Sequence, residues 1–200
     1  MLKVNGRQMS TTPSRLVTSH ITNNIFYCSL NDPHNMNSLT KQMVEDLSIV
    51  TNAIKRDQRI LACIFRSNYP GYFCTGINLK ERMGFSQDQI DMFMKNLRTF
   101  FYKISRIKVP TFSLIDGHCY GSGLELALSC DFRIATRRSL LGFTETKWGV
   151  IPGAGGTQKL PKLVGVPKAK EMILFAEKLT GERALEIGLI NELVEDDEEM

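Results

Sequence analysis

Between Gly117 and Asp131 the chain reads G-H-C-Y-G-S-G-L-E-L-A-L-S-C-D, a helical segment apolar on nearly every side with one carboxylate, Glu125, set inside it. A helix of that kind has to be covered all round, and a carboxylate taken out of water there is costly unless something holds or uses it. Twenty residues on, Glu145 stands in L-G-F-T-E-T-K-W-G, followed at once by the glycine-rich run I-P-G-A-G-G-T from Ile151 to Thr157. Two carboxylates beside two glycine-rich turns point to acid/base work on a small substrate.

The surrounding sequence supplies the layers such a helix needs. Leu16 to Leu30 holds strand-like segments ending in I-F-Y-C-S-L before the turn N-D-P-H-N. From about Thr40, Met43, Leu47, Val50 and Ile54 recur at helical spacing. The run I-L-A-C-I-F suits a strand covered on both faces, and S-N-Y-P-G-Y-F-C-T-G reads as a loop. Ser86 and Gln89 have capping-box spacing, ahead of a long helix faced by Ile90, Phe93, Met94, Leu97, Phe101 and Ile104. The strand T-F-S-L-I-D precedes the Glu125 helix; F-R-I-A and L-L-G-F follow it, with later helices expected near Lys168 to Lys178 and Gly181 to Ile187. Alternating strands and helices argue for α/β layers.

Composition narrows the classes. Two hundred residues make one domain large enough to bury a core. The net charge of +4 comes without a long basic run and suits an anionic small molecule as well as a weak nucleic-acid footprint. Cys28, Cys63, Cys74, Cys119 and Cys130 form no C-x-x-C pair, so reduced thiols and no metal are expected. No apolar run approaches the ~20 residues of a membrane span, so no span and a soluble chain are expected. Residues 1–15 carry Lys3 and Arg7 with Ser and Thr, and no acidic residue precedes Asp32; this reads either as an organelle-targeting leader or as a disordered tail.

The glycine turn after T-F-S-L-I-D invites a dinucleotide-site reading, but Leu126 occupies the third position of G-x-G-x-x-G, and no G-x-x-x-x-G-K-[ST] is present. The other use of such a turn is to aim backbone N–H groups at developing negative charge. A helix starting near Ser122 adds its positive dipole end to that residue's N–H. The loop F-C-T-G-I-N-L-K offers a second donor, because Gly76 permits a sharp turn that frees the N–H of Ile77.

With L-N-D-P-H-N-M-N-S-L, F-C-T-G-I-N-L-K-E, G-S-G-L-E-L-A-L-S-C-D and I-P-G-A-G-G-T in that order, the chain resembles the crotonase superfamily of enoyl-CoA hydratases and isomerases from about Leu16 to Val194. It looks closest to the methylglutaconyl-CoA hydratase branch. The resemblance implies an α/β crotonase (ClpP-like) fold of repeated ββα units over residues 16–200. Relatives continue through further helices that cover the acyl pocket and support trimer contacts, so a truncated C-terminus lacking that helical region is expected. It implies that the N–H groups of Ile77 and Ser122 hold the thioester oxygen and that Glu125 and Glu145 are the two hydratase carboxylates. Asn37, Gly76, Lys80, Gly121 and Gly153 fall at positions that contact CoA or let substrate approach. The implied reaction is reversible hydration of a 2-enoyl-CoA, with Glu125 orienting water and Glu145 delivering a proton. Coenzyme A is part of the substrate and no other cofactor is implied. A homotrimer or hexamer, and a mitochondrial address (cytoplasmic if the N-terminus is no leader), complete the expectation.

Plainer readings stand beside these. Glu125 can be an ion-pair partner of Arg133, Lys80 a solvated lysine, His34 and His118 turn histidines, and Trp148 a core residue instead of a lining of the acyl pocket. Phe93, Phe100 and Phe101 read as helix packing. Ser122 replaces the glycine usual at the second donor, and Asn78 stands where aspartate is common. Two other classes compete with an enzyme: an RNA-binding protein using Lys41, Lys55, Arg56 and Arg59, and a catalytically inactive CoA-binding subunit.

Overall fold

Two asparagines start the main sheet. Asn23 and Asn24 both take positive φ, 51° and 64°, and close a two-residue turn whose twist matches the flanking strands, so Val17–Thr22 and Ile25–Leu30 pair antiparallel in register Thr22 with Ile25. The computed structural model describes residues 2–4, 7–9, 16–54 and 57–195. In chain order these form β1 (Leu2–Val4), β2 (Arg7–Met9), β3 (Val17–Thr22), β4 (Ile25–Leu30), α1 (Lys41–Ile54), β5 (Ala62–Ser67), β6 (Tyr72–Cys74), α2 (Leu79–Met83), α3 (Gln87–Ile104), β7 (Thr111–Ile115), β8 (His118–Tyr120), α4 (Ser122–Ala127), β9 (Phe132–Thr136), β10 (Leu140–Gly142), α5 (Gly156–Val164), α6 (Val166–Leu174), β11 (Lys178–Thr180), α7 (Gly181–Glu186) and β12 (Glu192–Val194). Of the first fifteen residues, β1 and β2 pair antiparallel; the remainder of the leader-or-tail reading lies outside the described residues, as do residues 196–200 at the expected truncation.

The topology is a repeat. Strands β5, β7 and β9 each enter a six-stranded sheet of order β12-β9-β7-β5-β4-β3, parallel except at β3. The strand after each one, β6, β8 and β10, crosses into a second sheet of order β11-β10-β8-β6, and a helix follows. These are the ββα units expected, spread over two sheets, with α4 between the second sheet and α5.

Most elements fall where the periodicity put them. The capping box forms as predicted: Gln89 N–H donates to Ser86 Oγ at 3.3 Å, and Ser86 N–H donates to Gln89 Oε1 at 2.8 Å. The main sheet's inner face is filled by Phe26, Cys28, Leu30, Cys63 and Phe65, with Phe93, Phe100 and Phe101 of α3 buried in the same core. Three readings need correction. The loop before Gly76 contains β6, too short to show a period. The run I-L-A-C-I-F is not covered on both faces: burial alternates along β5, and Leu61 is 63% exposed. The helix expected to reach Lys178 ends at Leu174, because Ala176 turns into positive φ (52°) and Lys178 opens β11.

All five cysteines are free and buried, and burial pushes their thiols up in pKa, away from the thiolate that reacts. Among the described residues no helix is long and apolar enough to cross a membrane. Of the bases available to an RNA-binding face, Arg59 is ion-paired with Asp57 at 2.7 Å, and Lys55 and Arg56 lie outside the described residues.

Candidate active site

The two glycine turns meet back to back. Leu39 N–H donates to Gly76 carbonyl at 2.7 Å and Asn78 N–H to Leu39 carbonyl at 3.2 Å, an isolated parallel bridge between Leu39 and Ile77. In that pattern the bridged residue's own N–H points away from its partner strand, so Ile77 N–H faces the opposite side. Gly76 (φ 91°) presses there on the start of α4: a methyl on its Cα would lie 2.9 Å from Tyr120 carbonyl and 3.2 Å from Ser122 nitrogen. Ser122 is the first residue of α4, after Gly121 (φ 54°, ψ −126°), and first-turn N–H groups have no acceptor within their own helix. Neither Ile77 N–H nor Ser122 N–H finds an acceptor among the described residues. Two backbone donors from separate loops are thus left open beside one another.

Every residue of α4 is buried, and Glu125 is 0% exposed. Its carboxyl is held from the glycine-rich run downstream: Ala154 N–H donates to Oε1 at 2.7 Å and Gly156 N–H to the same oxygen at 2.8 Å. Ser122 Oγ–H donates to Oε2 at 2.8 Å. All three are donors, so the group is arranged as an acceptor. Behind it, Lys159 Nζ donates to Ser129 Oγ at 2.6 Å, close enough to Glu125 for their charges to interact. The ion pair with Arg133 does not form. That guanidinium donates to the carbonyls of Leu189 (2.8 Å) and Cys130 (3.0 Å) and to Asn191 Oδ1 (3.3 Å).

Glu145 opens a 3-10 turn, Glu145–Trp148, and its carboxyl rests on Gly121: a methyl there would meet Oε1 at 3.0 Å. Its Oε2 is buried without a hydrogen-bond partner. Burial, with a smaller contribution from the charge of Glu125, pushes Glu145 up to about 7. The two carboxyls therefore occupy contrasting settings, one held by three donors and one desolvated with an oxygen left unpaired.

This asymmetry has a stability signature. Between pH 4.5 and about 7 the unfolded chain has lost the Glu145 proton while the folded chain keeps it, so stability falls as pH rises through that window and then levels off. The total is on the order of 3 kcal/mol. Glu145→Gln is expected to match the parent near pH 5 and to exceed it in stability at pH 8. Urea melts of both proteins at the two pH values check this; equal stabilities at both would mean the carboxyl is not desolvated.

Beyond the donors lies a cleft of about 800 Å³ whose lining includes Ile77, Lys80, Arg82, Met83, Trp148 and Val150. Trp148 is 67% exposed, so the core reading fails and it stands in the cleft wall. Lys80 is exposed on α2, and Asn78 caps that helix through Glu81 N–H (2.9 Å) while bonding Ser38 Oγ (3.0 Å). His34 lines the cleft from its 3-10 turn; His118 is on strand β8, not a turn, bonded to Tyr120 hydroxyl at 2.9 Å.

Of the residues singled out from sequence, Gly76, Ile77, Gly121, Ser122, Glu125 and Glu145 come together, and Gly153 adjoins Ala154, its carbonyl fixed by Arg98 Nε at 2.7 Å. Asn37 does not present itself to a ligand. It is 1% exposed, and its amide accepts from Asp32 N–H and donates to Ser67 Oγ and the carbonyls of Tyr72 and Phe73. It shapes the turn instead. Sequence reasoning missed the Ala154 and Gly156 donors, the Ser122 hydroxyl contact, and Arg82 as a second cation in the cleft.

Repeated ββα units spread over two sheets, with paired donor loops at the head of a buried helix, are the crotonase-type architecture. The chain belongs to the enoyl-CoA hydratase/isomerase family, whose model matches residues 20–200. It is 41% identical over 175 residues to the mitochondrial methylglutaconyl-CoA hydratase of Homo sapiens, covering 88% of this chain and 52% of that protein. It is likewise 41% identical over 170 residues to mitochondrial enoyl-CoA hydratase domain-containing protein 2 of Mus musculus, covering 85% and 57%. The chain thus spans about half the length of the curated relatives it matches. Among solved structures it resembles the enoyl-CoA hydratase of Bacillus anthracis (TM-score 0.87, 35% identity, 90% of this chain and 70% of that one). It also resembles Pseudomonas aeruginosa DspI (TM-score 0.91, 29% identity, 96% and 78%).

Proposed function

We propose that the protein catalyses reversible addition of water across the 2,3-double bond of an enoyl-CoA. The observation that carries the reading is the pairing of two differently tuned carboxyls with two open backbone donors. The thioester oxygen accepts from Ile77 N–H and Ser122 N–H. Water held on Glu125 gives up a proton to that carboxylate as its oxygen bonds to C3, and the displaced electron pair moves through C2 to the thioester oxygen. Collapse of that enolate takes the proton of Glu145 onto C2, and a proton passed from Glu125 back to Glu145 resets the site. The donors strengthen as charge develops, each contributing about 3 kcal/mol to the transition state by analogy with other oxyanion sites.

Lys80, with Arg82 beside it, is assigned to the nucleotide phosphates, and Trp148 with Val150 to the acyl wall. The scheme draws on no metal or redox group. A mitochondrial site of action is supported by the names of the curated relatives and by the acid-free N-terminal stretch, and a trimer or hexamer by the exposed apolar side chains of Leu174, Phe175 and Ile151.

The test is loss of the conjugated enoyl-thioester absorbance on adding the protein to short, long and branched 2-enoyl-CoAs. Turnover of at least one is expected. Binding of CoA esters without turnover would instead identify an inactive CoA-binding subunit, and salt-dependent RNA binding without turnover an RNA-binding protein.

A further inference from the structure

Ser122 stands at a position where a glycine would supply the same backbone donor, so its hydroxyl is extra. The side chain is buried, and the hydroxyl donates to Glu125 Oε2 at 2.8 Å. A carboxylate offers about four acceptor sites. Ala154 and Gly156 N–H occupy two on Oε1, and Ser122 occupies a third on Oε2. We propose that the Ser122 hydroxyl is a positioning residue that locks the Glu125 carboxylate in one rotation and leaves it a single acceptor site, which selects one placement of the attacking water. With glycine at this position both sites on Oε2 are open, so water can sit in two places and the carboxyl can turn about the axis its Oε1 contacts define. The groups facing Glu125 from other elements do not substitute for the hydroxyl: Lys159 donates to Ser129, and Glu145 Oε2 has no partner. One residue thereby serves both halves of the chemistry, its N–H toward the thioester oxygen and its hydroxyl toward the water-binding carboxylate.

The inference rests on the hydration reading and is tested on Ser122→Ala and Ser122→Gly, which keep the backbone donor, and on Ser122→Thr, which restores a hydroxyl. Loss of one charge-assisted hydrogen bond should lower kcat about tenfold in both Ala and Gly variants, with KM within about twofold and recovery in Thr to within about threefold of the parent. In protein labelled with 13C at glutamate carboxyls, the Glu125 resonance should be displaced in the Ala variant and return toward its parent position in Thr. Circular dichroism melts establish that each variant is folded. Unchanged kcat in the Ala and Gly variants would overturn the proposal, and so would an equal loss in Ala, Gly and Thr, which marks a packing role. If the parent hydrates no enoyl-CoA, the hydration reading fails and the water-placing role with it; the carboxyl resonance still reports whether the hydroxyl holds Glu125.

Discussion

Glu125→Gln is expected to fold normally, to bind enoyl-CoA with near-parental affinity, and to lose hydration by at least about 10²-fold. The contacts explain why folding survives. The amide oxygen can take the place of Oε1 and accept from Ala154 and Gly156 N–H, while its NH2 faces Ser122 Oγ, which can rotate from donor to acceptor. Only the capacity to receive a proton from water disappears. Glu145→Gln should lose a similar factor for the opposite reason, since an amide has no proton of the required acidity to give to C2. In the parent, kcat/KM should fall as pH rises through about 7, where Glu145 empties. The double variant should be little worse than either single one, because the two groups act on the same passage through the enolate. Near-parental turnover in both single variants, measured on protein with parental dichroism, would refute the carboxylate-pair mechanism.

How much of this was legible depends on what kind of signal each part leaves in a sequence. Helices α1 and α3 bury long apolar stripes, and α3 carries a side-chain cap, so periodicity and capping residues read both. Strands β6, β8 and β11 have three residues each and show no period at all. Helix α5 was overlooked between the glycine run and Lys168; it carries Pro161 inside it, which sequence reasoning takes for a break. Glu125 stood out as a charge in an apolar segment. What receives it did not, because two of its three partners are backbone N–H groups 29 and 31 residues away, and a backbone donor leaves no residue type to recognise. Asn37 errs the other way: a polar residue in a turn was read toward the ligand, while its amide is spent on four contacts within the protein.

Ser122→Pro should lower hydration by at least about 10²-fold while leaving most of the fold intact, a result that isolates the second backbone donor. Ser122 is the first residue of α4, the helical position where proline is best accommodated, since its fixed φ suits the helix start and its missing N–H removes no intrahelical bond. Its N–H has no acceptor among the described residues, so the protein forfeits no hydrogen bond there when the hydrogen is replaced by a ring carbon. The oxyanion alone loses a partner, at a cost of about 10²–10³ in kcat, and loss of the hydroxyl adds to it. The Ala and Gly variants at the same position, which lack only the hydroxyl, set the baseline against which the proline effect is read. A complementary change acts on the spacing of the donors. In Gly76→Ala the new methyl would lie 2.9 Å from Tyr120 carbonyl and 3.2 Å from Ser122 nitrogen at a φ of 91°, so the two loops must part and Ile77 N–H must shift relative to Ser122 N–H. That variant should lose both stability and kcat, whereas Ser122→Pro should lose kcat with a melting temperature within a few degrees of Ser122→Ala. Turnover of 2-enoyl-CoA and thermal melts on the two variants separate the cases. A proline variant as active as Ser122→Ala would show that the N–H at the head of α4 does not hold the thioester oxygen, and would leave Ile77 as the remaining backbone donor of the pair.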